Sequence, residues 1–312
     1  MNNAGKGFIA VTAAYAIWGI FPLYFHPLYA VSAFQVIAHR ITWSCVFVLV
    51  ALTVRRELPA LRAALTDRGV MSRLTVSATL ITINWTVYVW AVTHGHVIEA
   101  SLGYFINPLV NVFLGVALLG ERLNRVQWTA IAMAAGGVLY LAIVGHSPPW
   151  ISLALALSFG IYGMVRKLVR VESLPGLAVE TTILLPFALA YLAWCESSGV
   201  GGLGLGGPVT RALLIGSGPL TATALFLFAY GARLLPYSTV GVLSYLGPML
   251  QLACGVFAFH ESFDRSRALG FALIWAAIVI YVGEGLLRAR RAQISQSGSA
   301  SSGERSHTDA AS

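Results

Sequence analysis

The stretch EASLGYFINPLVNVFLGVALLGE, from Glu99 to Glu121, decides the fold class. Between its two acids it is almost wholly apolar, and a membrane-spanning helix needs about 20 such residues. Gly103, Asn107 and Pro108 interrupt it, and a proline removes a backbone hydrogen bond. In lipid, freed backbone groups persist only against other protein or a water-filled cavity. The stretch predicts a spanning helix with a break beside a cavity; the alternative is an ordinary proline kink used for packing.

The composition indicates a membrane protein. Hydrophobic residues make up 57% of the chain and charged residues 10%, with a mean hydropathy of +0.77. Soluble domains carry about 25% charged residues. The net charge of +8 lies between apolar runs rather than in basic patches, so the lipid bilayer is the expected partner and nucleic acid is not.

Ten apolar runs follow one another along the chain, and helices rather than strands are expected in them because isolated strands cannot cross lipid. The first run is expected to be an uncleaved span rather than a signal peptide. The runs are Gly7–Leu28, Ser32–Val54, Ser72–Val92, Ile98–Leu119, Val126–Val144, Trp150–Lys167, Leu177–Cys195, Ala212–Ala232, Tyr237–Phe259 and Ser266–Leu287.

The basic residues predict an orientation. With the N-terminus in the cytoplasm, sixteen of the twenty Lys and Arg residues fall in inside segments and three in outside segments. The remaining one, Arg40, lies within a span. Such an excess marks the cytoplasmic side, so both termini are expected inside. The Ser/Gly-rich tail, residues 292–312, is expected to be disordered.

The chain repeats itself at an offset of 140 residues. The matched pairs are Pro108 and Pro248, Gly115 and Gly255, Glu121 and Glu261, and Arg125 and Arg265. Five spans in each half place the second half upside down in the membrane. The predicted fold is therefore an all-α membrane protein of ten helices in two inverted five-helix repeats, residues 1–145 and 146–291. Inverted repeats around a midplane site are a plan of secondary transporters.

Four segments resemble the RarD subfamily of EamA-type transporters, within the drug/metabolite transporter superfamily. They are AHRITWS (Ala38–Ser44), NWTVYVWAV (Asn84–Val92), the block from Glu99 to Leu123 and YGMVRK (Tyr162–Lys167). The resemblance covers the chain to about Leu287. It implies two inverted halves, a cytoplasmic-membrane location and transport of a small organic solute, with export as one option. It implies no catalytic residues, and its chloramphenicol label is a phenotype rather than a substrate.

Buried charge is costly in a membrane and marks candidate sites. Arg40 lies about 12 Å into its span and could hold an anion, although an ion pair or snorkelling is the alternative. Glu180, Glu99 and His39 are candidates for proton coupling. For Glu99 the alternatives are a helix cap or a pair with Arg40, and for His39 simple packing.

Two further sets of residues complete the candidates. Glu121 with Arg125 and Glu261 with Arg265 are expected to form ion pairs that act as gates or structural locks, and Pro108 and Pro248 to mark matching helix breaks. The candidate cavity wall of aromatic and amide side chains comprises Tyr15, Trp18, Asn84, Tyr88, Tyr104, Asn107, Asn111, Tyr245 and Gln251.

No HExxH or GxSxG motif is present, and the histidines and cysteines lack metal-ligand spacing. An enzyme, a metal site and a cofactor are therefore not expected. The favoured function is a secondary transporter in the plasma membrane that binds a small molecule and works by alternating access. A facilitator without ion coupling is the runner-up. A membrane-embedded enzyme and a receptor-like protein are weaker alternatives.

Overall fold

The computed structural model describes residues 3–119, 124–144, 149–169, 171–232, 234–235, 240, 243–281 and 283–284, and these form helices joined by short turns. The helices are α1 (Asn3–Gly19), α2 (Phe21–Phe25), α3 (Ala33–Val54), α4 (Leu58–Thr66), α5 (Arg68–Thr93), α6 (Val97–Leu119), α7 (Arg125–Val144), α8 (Trp150–Leu168), α9 (Ser173–Ser197), α10 (Gly202–Leu205), α11 (Pro208–Ala232), α12 (Leu246–Ala253) and α13 (residues 265–281). A 3-10 turn, His26–Leu28, follows α2, and a π-helical turn, Cys254–Ala258, follows α12.

Helix occupies each of the ten predicted apolar runs, and the part of the chain that the structure describes contains no strand. Among those residues, five helices are long and apolar enough to cross a membrane. A sixth candidate is α1 together with Phe21–Leu28, which bends by 44°. The all-helical prediction is confirmed for these residues. The short helices α4 and α10 were not expected, because the sequence there reads as connecting loop.

The helices begin where polar side chains satisfy free backbone N–H groups. The Asp67 Oδ1 atom accepts from the Gly69 and Val70 amides at the start of α5, at 2.8 and 3.0 Å. At the start of α7, Asn124 and Gln127 accept from each other's backbone amides in a reciprocal cap. Such caps stabilise a helix end by about 1 kcal/mol each.

The two predicted halves interlock rather than stand side by side. Helix α1 packs against α11 and α12, α3 against α9 and α11, and α6 against α8 and α12. Glycines allow the closest approaches. A Cβ on Gly231 would lie 2.7 Å from the Gly7 carbonyl oxygen, and a Cβ on Gly103 would lie 2.8 Å from the Ser152 carbonyl oxygen. Small residues at crossings are typical of helices packed in membranes.

The break predicted at Pro108 is wrong, because α6 runs without interruption from Val97 to Leu119. One proline removes a single backbone bond, and α9 and α11 likewise continue through Pro186 and Pro219. Gly103, part of the same sequence cluster, serves close packing of α6 on α8. Pro248 differs, since α12 begins only two residues before it and passes into a π-helical turn.

The surface of the bundle exposes many large apolar side chains. Large hydrophobic side chains are exposed all along the chain, and examples are Val54 at 78%, Phe257 at 77% and Phe187 at 73%. Meanwhile Arg40, Glu180 and Asn84 are buried. A soluble protein has the opposite arrangement. The pattern fits a multi-pass membrane protein, with lipid on the outside and polar groups around an internal space.

Candidate functional site

An internal cavity of ≈ 480 Å³ lies between helices of both predicted halves. Helices α1, α3, α5 and α6 of the first half and α8, α9, α11 and α12 of the second contribute to its wall. The aromatic residues of the wall are Tyr15, Trp18, Phe21, Trp85, Tyr88, Tyr104, Phe159, Tyr162, Phe226 and Phe228. Its charged and amide residues are Arg40, Asn84, Asn107, Arg166 and Gln251. A space of this size holds a small organic molecule.

Arg40 lies on this wall with 3% of its surface exposed. Its Nε atom donates to the Thr221 hydroxyl at 2.8 Å. The guanidinium carbon lies 4.1 Å from the centre of the Trp85 ring, with Phe21 and Phe25 within 5.5 Å. Within the described part of the chain, no carboxylate lies within 4.0 Å of this guanidinium. Arg40 is therefore held by aromatic faces and one hydroxyl, not by the ion pair considered from the sequence.

A polar network on the cavity wall links three helices. The Tyr104 hydroxyl donates to Asn84 Oδ1 at 3.2 Å, and Asn84 Nδ2 donates to the Leu155 carbonyl and the Ser158 hydroxyl at 3.0 Å. Asn107 Nδ2 donates to the Ala156 carbonyl at 3.2 Å. The network holds α5 and α6 against α8. It fixes the orientation of these polar groups on the wall.

Three polar atoms of the wall are buried without a hydrogen-bond partner among the residues described. One is Arg166 Nη1, and the other two are the Tyr88 hydroxyl and the Gln251 Oε1 atom. The Gln251 Nε2 atom donates to the Trp18 carbonyl at 3.1 Å, which fixes the amide so that Oε1 remains an acceptor. Buried polar atoms are seldom left unsatisfied in native proteins. The Tyr88 and Gln251 atoms can therefore bind a donor and an acceptor of a molecule in the cavity.

The wall also holds a second arginine that the sequence did not single out. Arg166 was counted only as a cytoplasmic basic residue, because it lies near the end of its run beside Lys167. Its Nη1 atom lies 3.7 Å from Glu180 Oε1, and the Ser77 hydroxyl donates to the same oxygen at 2.6 Å. The Arg166 guanidinium packs directly over Gly176. Two sequence signals pointed to this place: the candidate Glu180 and the segment YGMVRK (Tyr162–Lys167), which contains Arg166.

Glu180 is 1% exposed and lies behind the wall rather than on it. Its Oε2 atom has no partner among the described residues. Helix α9, which carries Glu180, packs against both α3 and α5. His39 is also buried, at 2%, and does not line the cavity.

Two acids for which an arginine partner was considered make different contacts. Glu99 lies 3.4 Å from Arg267 and 3.8 Å from His96, not beside Arg40. The Glu261 carboxylate accepts from the Val97 and Ile98 amides, at 2.6 and 2.8 Å. The predicted Glu261–Arg265 pair is therefore wrong. The amides at the start of α6 are free and electropositive, so they satisfy the carboxylate in its place.

The remaining predicted residues divide into those on the wall and those elsewhere. Tyr15, Trp18, Asn84, Tyr88, Tyr104, Asn107 and Gln251 all line the cavity. Tyr245 does not; it packs against a separate apolar cluster of α6, α8, α12 and α13. Arg125 begins α7, whereas Glu121 and the side chains of Pro108 and Asn111 lie outside the described residues. Among the residues searched, no group of His, Cys, Asp and Glu has the arrangement of a metal site.

Comparison with known proteins identifies relatives along the whole chain. The model of the EamA-like transporter family matches residues 5–143 and again 148–283. The chain is 40% identical to Protein RarD of Streptomyces exfoliatus, over 94% of this chain and 93% of the relative. It is 43% identical to the uncharacterized transporter YojE of Bacillus subtilis, over 88% and 93%, respectively.

A more distant relative from Pseudomonas aeruginosa, named chloramphenicol-sensitive protein RarD, is 33% identical over 90% of this chain and 94% of its own. One solved crystal structure shares the fold, with a TM-score of 0.57 and 22% identity, over 89% of this chain and 97% of that one. The resemblance predicted from the sequence is therefore confirmed. The chain belongs to the EamA-like transporter family.

Proposed function

We propose that this protein is a secondary transporter that moves a small organic solute across the plasma membrane by alternating access. The observation that carries the proposal is the cavity of ≈ 480 Å³, enclosed by helices from both predicted halves and lined by aromatic rings around a buried arginine. Buried ionisable residues inside a membrane bundle typically mark a substrate pathway.

The proposed architecture is ten membrane-spanning helices in two inverted halves, residues 1–145 and 146–291, with both termini in the cytoplasm. Two findings support it. The family model matches the chain twice in succession, and helix occupies every one of the ten apolar runs. In the same proposal, residues 292–312 form a cytoplasmic tail without a part in transport.

Rocking of one half against the other is the proposed motion. The halves approach closely at glycines such as Gly7 and Gly231, each of which lies against the backbone carbonyl of the other. The Glu261 contact to the α6 N-terminus joins the halves at one end of the bundle. In this proposal it acts as a gate that forms when that end closes.

Coupling to protons is proposed at Glu180, with Glu99 and His39 as the other candidates. Glu180 is favoured because it is 1% exposed, whereas the side chain of Glu99 is 27% exposed. The test measures uphill transport driven by a pH gradient in Glu180→Gln and Glu99→Gln proteins. The proposal fails if both variants still concentrate solute. A facilitator, the runner-up, would concentrate nothing even in the unmodified protein.

The transport function is tested without knowing the solute. Proteoliposomes are loaded with a bacterial small-molecule extract, and mass spectrometry follows which compounds leave. The unmodified protein is expected to accelerate the release of one compound or a few related ones, and Arg62→Gln, a change of an exposed arginine in α4, is expected to behave identically. Release of every compound at the rate of protein-free liposomes would contradict the proposal. The name of the Pseudomonas aeruginosa relative makes chloramphenicol one compound to add to the extract.

A further inference from the structure

The charges on the cavity wall are unbalanced. Arg40 and Arg166 both line the cavity, and the described wall residues include no carboxylate. Glu180, behind the wall, neutralises Arg166 at 3.7 Å. The undescribed residues 236–239 and 241–242, next to the start of α12, contain no acid in the sequence. Among the residues that the structure describes, the Arg40 charge therefore has no carboxylate within 4.0 Å to compensate it.

An isolated guanidinium buried in a membrane bundle is costly, and aromatic faces offset only part of that cost. Its Nε donor is occupied by Thr221, which fixes the orientation of the guanidinium against Trp85. The Tyr88 hydroxyl on the same wall is an additional donor without a partner among the described residues. A guanidinium binds a carboxylate through two parallel hydrogen bonds, a geometry that an ammonium or a neutral group does not provide.

The rest of the wall is suited to a flat apolar group. The Tyr88 and Tyr104 rings lie 5.8 Å apart, and Phe159 lies 6.1 Å from Tyr104. On the α1 side, Trp18 and Phe228 lie 5.6 Å apart. Edge-to-face and stacked contacts with such rings favour a planar partner.

From these observations we infer that the transported solute is an organic monoanion, a carboxylate attached to a planar, aryl-type body, and that it carries no ammonium group. Arg40 binds the carboxylate, Tyr88 donates to it, and the aromatic wall contacts the body. The inference rests on the proposed transport function, whose substrate class it specifies.

The same features discriminate against the other charge classes. A cation meets two arginines and no carboxylate on the described wall. A zwitterion satisfies Arg40 but places its ammonium where only neutral acceptors, such as Gln251 Oε1, are available. A neutral molecule leaves the Arg40 charge uncompensated. Gln251 Oε1 can instead accept from a neutral hydroxyl, so a hydroxyl on the solute is tolerated.

Four compounds with the same phenyl body test the charge requirement: 3-phenylpropionate, phenylalanine, phenethylamine and 3-phenylpropanol. Their dissociation constants are obtained from concentration-dependent thermal shifts of the purified full chain. We expect 3-phenylpropionate to bind at least tenfold more tightly than the other three. Arg40→Gln is expected to remove that preference, whereas Arg62→Gln retains it and controls for uptake of the compounds by detergent. Arg40→Lys, which keeps the charge but loses the planar fork, is expected to be intermediate.

A transport measurement distinguishes a failure of this inference from a failure of the proposed function. In proteoliposomes, labelled 3-phenylpropionate is expected to exchange in the unmodified and Arg62→Gln proteins and at least tenfold more slowly in Arg40→Gln. Tighter binding or faster exchange of any of the other three compounds overturns the inference and leaves a transporter. Absence of 3-phenylpropionate binding also overturns it, and the extract experiment still decides the function. Binding lost in Arg40→Gln without any exchange keeps the inferred binding site and contradicts transport.

Discussion

Arg40 and Arg166 are the same residue type on the wall of the same cavity, yet their surroundings differ. Arg40 contacts the Trp85 ring and the Thr221 hydroxyl. Arg166 lies beside a buried carboxylate, Glu180, that also accepts from Ser77. The second arrangement is electrically complete without a solute and the first is not. Burial of an arginine in the bundle is therefore not enough to indicate a binding site. The informative feature is a buried arginine that has no carboxylate partner.

Removing the carboxylate of the Arg166–Glu180 pair is expected to lower the free energy of unfolding more than any other change considered below. Glu180→Ala leaves the Arg166 guanidinium buried beside Ser77 without a carboxylate. Loss of one partner of a buried pair costs roughly 3–5 kcal/mol of unfolding free energy. The double variant Arg166→Met with Glu180→Leu is expected to recover most of that loss. Denaturant unfolding of the detergent-solubilised protein measures the stabilities of the single and double variants. If the single variant is as stable as the unmodified protein, the pair does not contribute to stability.

Gly176→Ala tests the same pair through its packing. The new methyl group overlaps the Arg166 guanidinium, which has to move away from Glu180. The guanidinium is the end of a flexible side chain, so the cost is that of a weakened pair with Glu180 and is smaller than the cost of Glu180→Ala. Gly136→Ala is the matched control, because a Cβ there meets nothing within 4 Å and Ala favours helix. If both variants melt at the same temperature, the close contact of Arg166 with Gly176 has no energetic consequence.

Arg40→Gln is expected to have a smaller effect on stability than Glu180→Ala, because no carboxylate is left behind. The lost contacts are a cation–π interaction of about 0.5–2 kcal/mol and the hydrogen bond to Thr221. Thermal unfolding compares the two variants under identical conditions. A stability loss at Arg40 as large as that at Glu180 would make both arginines structural and remove the contrast between them.

Thr221→Val is expected to have the smallest effect. It removes only the hydroxyl that accepts from Arg40 Nε, which is one of the two contacts that Arg40→Gln loses. The guanidinium keeps its place over Trp85 but loses its fixed orientation, so binding of 3-phenylpropionate weakens severalfold with little change in melting temperature. Thr223→Val, two residues along the same helix and off the cavity wall, is the control. Equal affinity in both variants would mean that Trp85 alone orients the guanidinium.

The sequence predicted much of the cavity wall but not its charge balance. Arg40 was identifiable because it interrupts an apolar run, and Asn84 and Asn107 for the same reason. Arg166 was not, since it lies among other basic residues at the end of a run. Only the approach of α9 brings Gly176 and Glu180 to it. Partners separated by many residues of chain depend on how helices pack, which local patterns do not specify.

For the proline in the opening stretch the error is the opposite one, because the sequence predicts a helix break that the structure does not contain. Gly103, Asn107 and Pro108 were read together as a break in α6, yet the helix is continuous. Gly103 is small because the α8 backbone approaches it, and Asn107 donates to that same backbone at Ala156. The cluster is therefore a helix-packing surface. The sequence indicates that these residues matter, but it predicts the wrong role. Their actual role, packing against α8, depends on the position of that neighbouring helix.

The Glu261 contact to the start of α6 has a consequence for hydration. The Val97 and Ile98 amides use an acceptor that belongs to the other half of the chain. In the proposed rocking motion, separation of the halves at this end removes the partners of both amides and of the carboxylate together, and unsatisfied groups of this kind are costly away from water. As the contact breaks, water molecules have to form hydrogen bonds with the two amides and with the Glu261 carboxylate. Opening at this end therefore begins with wetting, and solute can follow only after water has entered.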